Sequence, residues 1–75
     1  MVFYKYTMTL TIELEKEVDG RWIAEVKGLP GVLVYGKSRD EALAKVKALA
    51  LRVIADRLEH GEAASDLLDV SFKAA

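Results

Sequence analysis

The residues able to do chemistry are few, and most have a simpler duty. His60 is the single histidine, and cysteine is absent. A histidine can act as a general base or metal ligand, but no second histidine and no cysteine completes a tetrahedral zinc set. His60 also precedes Gly61, as expected for a last helical turn, where an imidazolium favours the negative end of the dipole. Neither Ser38 nor Ser65 lies in a Gly-x-Ser-x-Gly elbow that would expose a nucleophile. Three carboxylates, Glu13, Glu41 and Asp69, fall on different elements and could in principle hold the two metals of a nuclease. Glu41, however, is accounted for by a helix cap, and Glu13 and Asp69 lie on the polar phase of their strands. Gly28 and Gly31 bracket Pro30 with no Lys-Ser/Thr after them, so they read as a turn and not a phosphate loop. The aromatics Phe3, Tyr4, Tyr6, Trp22, Tyr35 and Phe72 lack the interleaved basic residues of a base-stacking platform. Core packing is their simpler role, with Trp22 and Tyr35 also suited to anchoring a protein partner. The sequence therefore predicts no catalytic, metal or cofactor-binding residues, and no enzyme.

These side chains must be positioned by a short run of elements. From Tyr4 to Leu14 the chain alternates, with Tyr4, Tyr6, Met8, Leu10, Ile12 and Leu14 in one phase and Lys5, three threonines and two glutamates in the other. That period of two predicts a half-buried strand with a polar outer face. Asp19-Gly20 predicts a hairpin with a type I′ turn. A second strand is expected over Arg21–Lys27, with Trp22, Ala24 and Val26 on one face. Gly28-Leu29-Pro30-Gly31 breaks it. Val32–Tyr35 reads as a third strand, apolar on both faces. Ser38 and Glu41 form a capping box in which Ser38 accepts an N–H and Glu41 reaches back. A helix is predicted over Arg39–His60, with Gly61 at its C′ position. Asp66–Phe72 reads as a last strand. The expected class is α+β, in the order β-β-β-α-β.

The helix carries more apolar surface than one sheet can cover. Ala42, Leu43, Val46, Leu49, Ala50, Val53 and Ile54 form a broad arc for the sheet. Ala44, Ala48, Leu51, Ala55 and Leu58 form a second, heptad-like stripe, with small residues that allow close helix approach. Together these five are the expected oligomer interface.

Size and composition sharpen that expectation. The chain has 75 residues, with 11 Lys+Arg against 12 Asp+Glu. It fits one domain over 1–75, and its balanced charge lacks the basic excess of a free-standing nucleic-acid binder. Domains this small bury only about 60% of their unfolded surface and often need a staple. Without cysteine or a metal set, self-association is the staple expected here. Asn and Gln are absent together with Cys, a depletion seen in thermophile proteins. The N-terminal residues lack a basic region followed by an apolar run, and no uncharged apolar stretch approaches the ~20 residues of a membrane span. A soluble cytoplasmic protein is expected, with no membrane partner.

The stretch Glu17–Val32, followed by Gly36–Leu43, resembles the HicB-like antitoxin family. Matching positions are Asp19, Gly20, Trp22, Leu29, Pro30, Gly31, Gly36, Ser38, Glu41, Ala42 and Leu43, and the element order agrees over nearly the whole chain. The departures are Lys27 and Gly28 where Pro and an acidic residue are common, Val32 for a frequent Cys, and Lys37 for a frequent Asp. The resemblance implies a partial RNase H-like core, in which an antiparallel three-stranded meander is joined by a crossover helix to a fourth strand parallel to the first. It also implies an oligomer that binds and blocks a small RNA-cleaving toxin of the HicA type. No helix-turn-helix or ribbon-helix-helix segment follows, so direct DNA binding is not expected. A HicA-type toxin is expected to be basic, which nominates Glu13, Glu15, Glu17, Asp19 and Glu25 as contacts, with Trp22 and Tyr35 as anchors. Two other readings stay open: a solitary oligomeric scaffold or ligand-binding protein with no toxin partner, and a degenerate nuclease.

Overall fold

The computed structural model describes residues 6–62 and 67–75, with side chains placed over 7–62 and 69–75. The elements run β1 (Tyr6–Lys16), β2 (Trp22–Lys27), β3 (Leu33–Gly36), α1 (Arg39–Glu59) and β4 (Leu67–Ala74). They form one mixed four-stranded sheet in the order β3-β2-β1-β4, antiparallel except for the parallel pair β1 and β4. The β-β-β-α-β arrangement is the expected one. Tyr4, Lys5 and Asp66, at the outer ends of two predicted strands, lie outside the described residues.

The period of two in β1 does what it predicts. Leu10 and Ile12 are buried under the helix, while Thr7, Thr9, Glu13 and Glu15 are exposed on the other face. Ala24 and Val26 of β2 join them from the neighbouring strand. The helix contributes Ala42, Val46, Ala50 and Ile54, spaced four apart so that they form one stripe. Leu29 and Val32 close the core from the turn after β2, where Val26 N–H donates to the Val32 carbonyl at 3.0 Å. The helix packs chiefly on β3 and β2, and less on β1.

The hairpin differs from expectation. A type I′ turn needs positive φ at both central residues, but although Gly20 has φ +91°, among the described residues none other than glycine has positive φ. Instead, Gly20 N–H donates to the Glu17 carbonyl at 3.0 Å and Glu17 N–H to the Arg21 carbonyl at 2.7 Å. This is a three-residue loop of Val18, Asp19 and Gly20, with glycine in the left-handed position. Asp19 fastens it by accepting from Arg21 N–H through Oδ1 at 3.0 Å.

The helix is delimited as the sequence indicates. Ser38 has extended backbone, and its Oγ accepts from Glu41 N–H at 3.1 Å. The reciprocal half of the capping box is replaced: Glu41 Oε1 lies 2.8 Å from Lys45 Nζ, one turn on. At the other end the helix stops at Glu59, one residue short of the expected His60, which is the C-cap. Gly61 has φ +70°, and Glu62 N–H donates to the Arg57 carbonyl at 2.7 Å, closing a Schellman motif. Gly36 lets the helix start close to the sheet, because a Cβ there would fall 2.5 Å from the Ala42 nitrogen.

The sheet is staggered. β2 pairs with Thr11–Lys16 of β1, whereas β4 pairs with Tyr6–Ile12. Only Thr11 and Ile12 therefore have strands on both sides. The molecule is accordingly long, at 54 × 23 × 16 Å. Its radius of gyration is 14.2 Å, against about 11 Å for a compact chain of this length.

Candidate functional site

The helix covers one face of the sheet and leaves the other face free of it. Paired residues of antiparallel strands share a face, and the register sets this one out. Glu13 lies opposite Glu25, Glu15 opposite Ile23, Ile23 opposite Tyr35, and Glu25 opposite Leu33. The carboxylates of Glu13, Glu15 and Glu25 thus stand beside an apolar group of Ile23, Leu33 and Tyr35. Glu13, Glu15, Ile23, Glu25 and Leu33 line a shallow depression of about 120 Å³.

Glu13 and Glu25 are like charges directly across two strands, which is unfavourable unless relieved. Lys27 relieves it, with Nζ 3.4 Å from Glu13 and 3.9 Å from Glu25. At the corner, Arg21 Nε donates to Asp19 Oδ2 at 2.7 Å, and its guanidinium sits 4.5 Å from the centre of the Tyr35 ring. The Arg21 backbone N–H, helped by its side chain, holds the Asp19 carboxyl below the usual aspartate range. Asp19, Arg21 and Tyr35 are thus tied into one exposed unit. Four carboxylates (Glu13, Glu15, Asp19 and Glu25) face two cations (Arg21 and Lys27), leaving this end of the face net acidic by two charges.

The face therefore presents a small apolar centre with an acidic border. Over 58 residues, the chain is 34% identical to the UPF0150 protein Ta0767 of the thermophilic archaeon Thermoplasma acidophilum, spanning 77% of this chain and 78% of that one. The chain belongs to the UPF0150 family. No family model matches it, and neither does any solved structure.

In this UPF0150 chain, the residues nominated as partner contacts divide. Glu13, Glu15, Glu25 and Tyr35 share the helix-free face, and Asp19 borders it through Arg21. Glu17 is half-buried at the hairpin base, where its backbone closes the loop. Trp22 is on the opposite face, half-buried against the core, with Gly36 as its neighbour on β3. Ile23, Leu33, Lys27 and Arg21 were not singled out from sequence as contacts. Their signal was the third strand's second apolar phase, and the cross-strand register supplied the rest.

The remaining candidates for chemistry stay apart. Glu13 and Asp69 share a face, but Asp69 pairs with Thr7. Six residues of strand, about 20 Å, separate Thr7 from Glu13. Glu41 is on the helix and held by Lys45, which keeps its carboxyl below the usual glutamate range. Among the described residues no group of three or more His, Asp or Glu is placed to hold a metal ion. The His60 ring Nδ1 lies 2.8 Å from the Asp56 carbonyl, so it serves the helix end. Ser65 lies outside the described residues. No described helix is long and apolar enough to cross a membrane.

On the outer side of α1, Leu51 is 48% exposed and Leu58 is 40% exposed, with Ala44 and Ala55 also exposed and Ala48 half-buried. The second stripe thus lies away from the sheet.

Proposed function

We propose that this UPF0150 protein is a HicB-like, antitoxin-type binding protein, with a partial RNase H-like core, that neutralises a small basic RNA-cleaving toxin of the HicA type by covering it. The observation that carries this reading is the helix-free face, where Glu13, Glu15 and Glu25 border Ile23, Leu33 and Tyr35. A basic toxin would set cationic residues against the glutamates and an apolar residue into the shallow centre. Inhibition would then be occlusion, requiring no reactive group on this chain. The matched positions of the HicB-like pattern support the same reading, because they are turn, cap and core positions that build this sheet. The test is growth rescue by co-expression with a HicA-type toxin encoded beside this gene. The chain is expected to restore growth. The E13K/E15K/E25K variant, altered at solvent-facing positions, is expected to bind at least about tenfold more weakly, chiefly through slower association. Unchanged binding by that variant, or no rescue by the native chain, would sink the reading.

A second reading rests on the exposure of Leu51 and Leu58: a solitary oligomer, acting as a scaffold without a toxin, assembled through Ala44, Ala48, Leu51, Ala55 and Leu58. Light scattering on Leu51→Lys tests it. A change from oligomer to smaller species favours this surface, and an unchanged mass rejects it.

A further inference from the structure

We propose that the first half of β1, Tyr6–Leu10, is a self-pairing edge. It would take the same five residues of a second copy, antiparallel, about a two-fold axis at Met8. The inference is independent of the antitoxin reading.

The stagger of the sheet creates the edge. β4 occupies one side of Tyr6–Ile12, and β2 occupies the other side only from Thr11 onward. Among the described residues, no strand pairs with the remaining side of Tyr6–Leu10. Its backbone N–H and C=O groups on that side are a ready template for another strand.

Sheet edges are usually blunted by charge, proline or brevity. The other edges here follow that rule. β3 has only four residues, and β4 carries Asp69 and Lys73. Tyr6-Thr7-Met8-Thr9-Leu10 carries no charge, no proline and no glycine. Charge resumes on β1 only at Glu13, within the half that β2 already covers. An uncharged edge lets two copies lie side by side without repulsion.

Length and face select the occupant. An incoming strand must stop at the Thr11–Lys27 pair, where β2 takes over that side, so the described part of β1 offers five residues. A second β1 offers the same five and stops at its own Thr11. With Met8 opposite Met8 of the second copy, Thr7 meets Thr9 and Tyr6 meets Leu10. The Thr7–Thr9 and Met8–Met8 pairs then keep their faces: threonines with threonines on the helix-free side, and methionine with methionine on the helix side, where Leu10 also lies. On that side Leu10 is buried, while Met8, Val70 and Phe72 remain half-buried, so the second copy would extend the existing core. The pairing is isologous and closes as a dimer.

The absence of cysteine makes the test direct, since one introduced cysteine can form only an intermolecular disulfide. Antiparallel partners have Cα atoms about 4.5–5.5 Å apart, inside the range a disulfide spans. Met8→Cys is expected to oxidise to a covalent dimer. Ser71→Cys, on β4 and away from the free edge, is expected not to. The second arm uses the exposed positions: T7K/T9K places lysines opposite lysines and should weaken the dimer by about tenfold or more, while T7E/T9K places Glu opposite Lys and should recover it. Failure of Met8→Cys to cross-link, with T7K/T9K leaving the mass in sedimentation unchanged, overturns the proposal. Cross-linking through Leu51→Cys without Met8→Cys also overturns it, placing self-contact on the helix. A monomer at high concentration overturns it too, leaving the edge to an extended peptide of another protein.

Discussion

At the scale of single residues, Asp19 shows how one side chain serves both turn and surface. Its carboxylate caps the Arg21 N–H and holds the guanidinium that covers Tyr35. Both contacts stabilise the charged form, so its folded pKa lies below the ordinary 3.8. The associated stability is present above that ordinary value and is lost as pH falls through the lowered one. Following the Asp19 carboxyl carbon by NMR during an acid titration should give a midpoint below 3.8, and a midpoint at or above it contradicts the contact. Asp19→Ala should lower stability at neutral pH and cease to differ from the native chain once the aspartate is protonated. The acidic face was legible residue by residue, since Glu13 and Glu15 announce their side by alternation with Ile12 and Leu14. The role of Lys27 was not legible, because it depends on which residues lie across β1 and β2.

At the scale of elements, that register is where two sequence signals conflict. An Asp19-Gly20 two-residue turn would set Leu14 opposite Glu25, putting an apolar and a charged residue on one face. The observed pairing sets Leu14 opposite Ala24. Shifting register by one residue turns a whole strand over, so burial of Leu14, Ala24 and their neighbours overrides the local turn preference. The three-residue loop follows from the hydrophobic phases of the two strands. The helix shows the opposite case, where local signals at Ser38 and Gly61 were sufficient. Ser38→Ala should cost about 1 kcal/mol in chemical denaturation, and Ser38→Asp should retain most of the stability. Gly36→Ala should cost more, about 1–3 kcal/mol, because its methyl would meet the Ala42 backbone and force the helix start to shift. A cost below that of Ser38→Ala would mean that the helix start yields easily.

At the scale of the whole molecule, three observations share one physical origin. The sheet is staggered so that only two residues of β1 are flanked on both sides, the outer helix exposes Leu51 and Leu58, and the radius of gyration exceeds that of a compact chain of this length. Each marks surface that 75 residues do not bury by themselves. The composition signalled the deficit, since a small chain without cysteine has no covalent staple, but the stagger was invisible in sequence because it depends on where β4 lands along β1. Association that covered this surface would link folding to concentration. The unfolding temperature of a dimer should therefore rise by about 5–11 °C when protein concentration is raised about a hundredfold, since mass action over that range is worth about 2.7 kcal/mol per dimer, about 1.4 kcal/mol per chain, and small domains shift about 4–8 °C per kcal/mol. Differential scanning fluorimetry across a dilution series measures it. T7K/T9K should flatten the dependence if β1 carries the contact, and Leu51→Lys should flatten it if the outer helix does. A melting temperature independent of concentration in the native chain would mean that the elongated monomer is stable alone, and both self-association surfaces would then have to be given up.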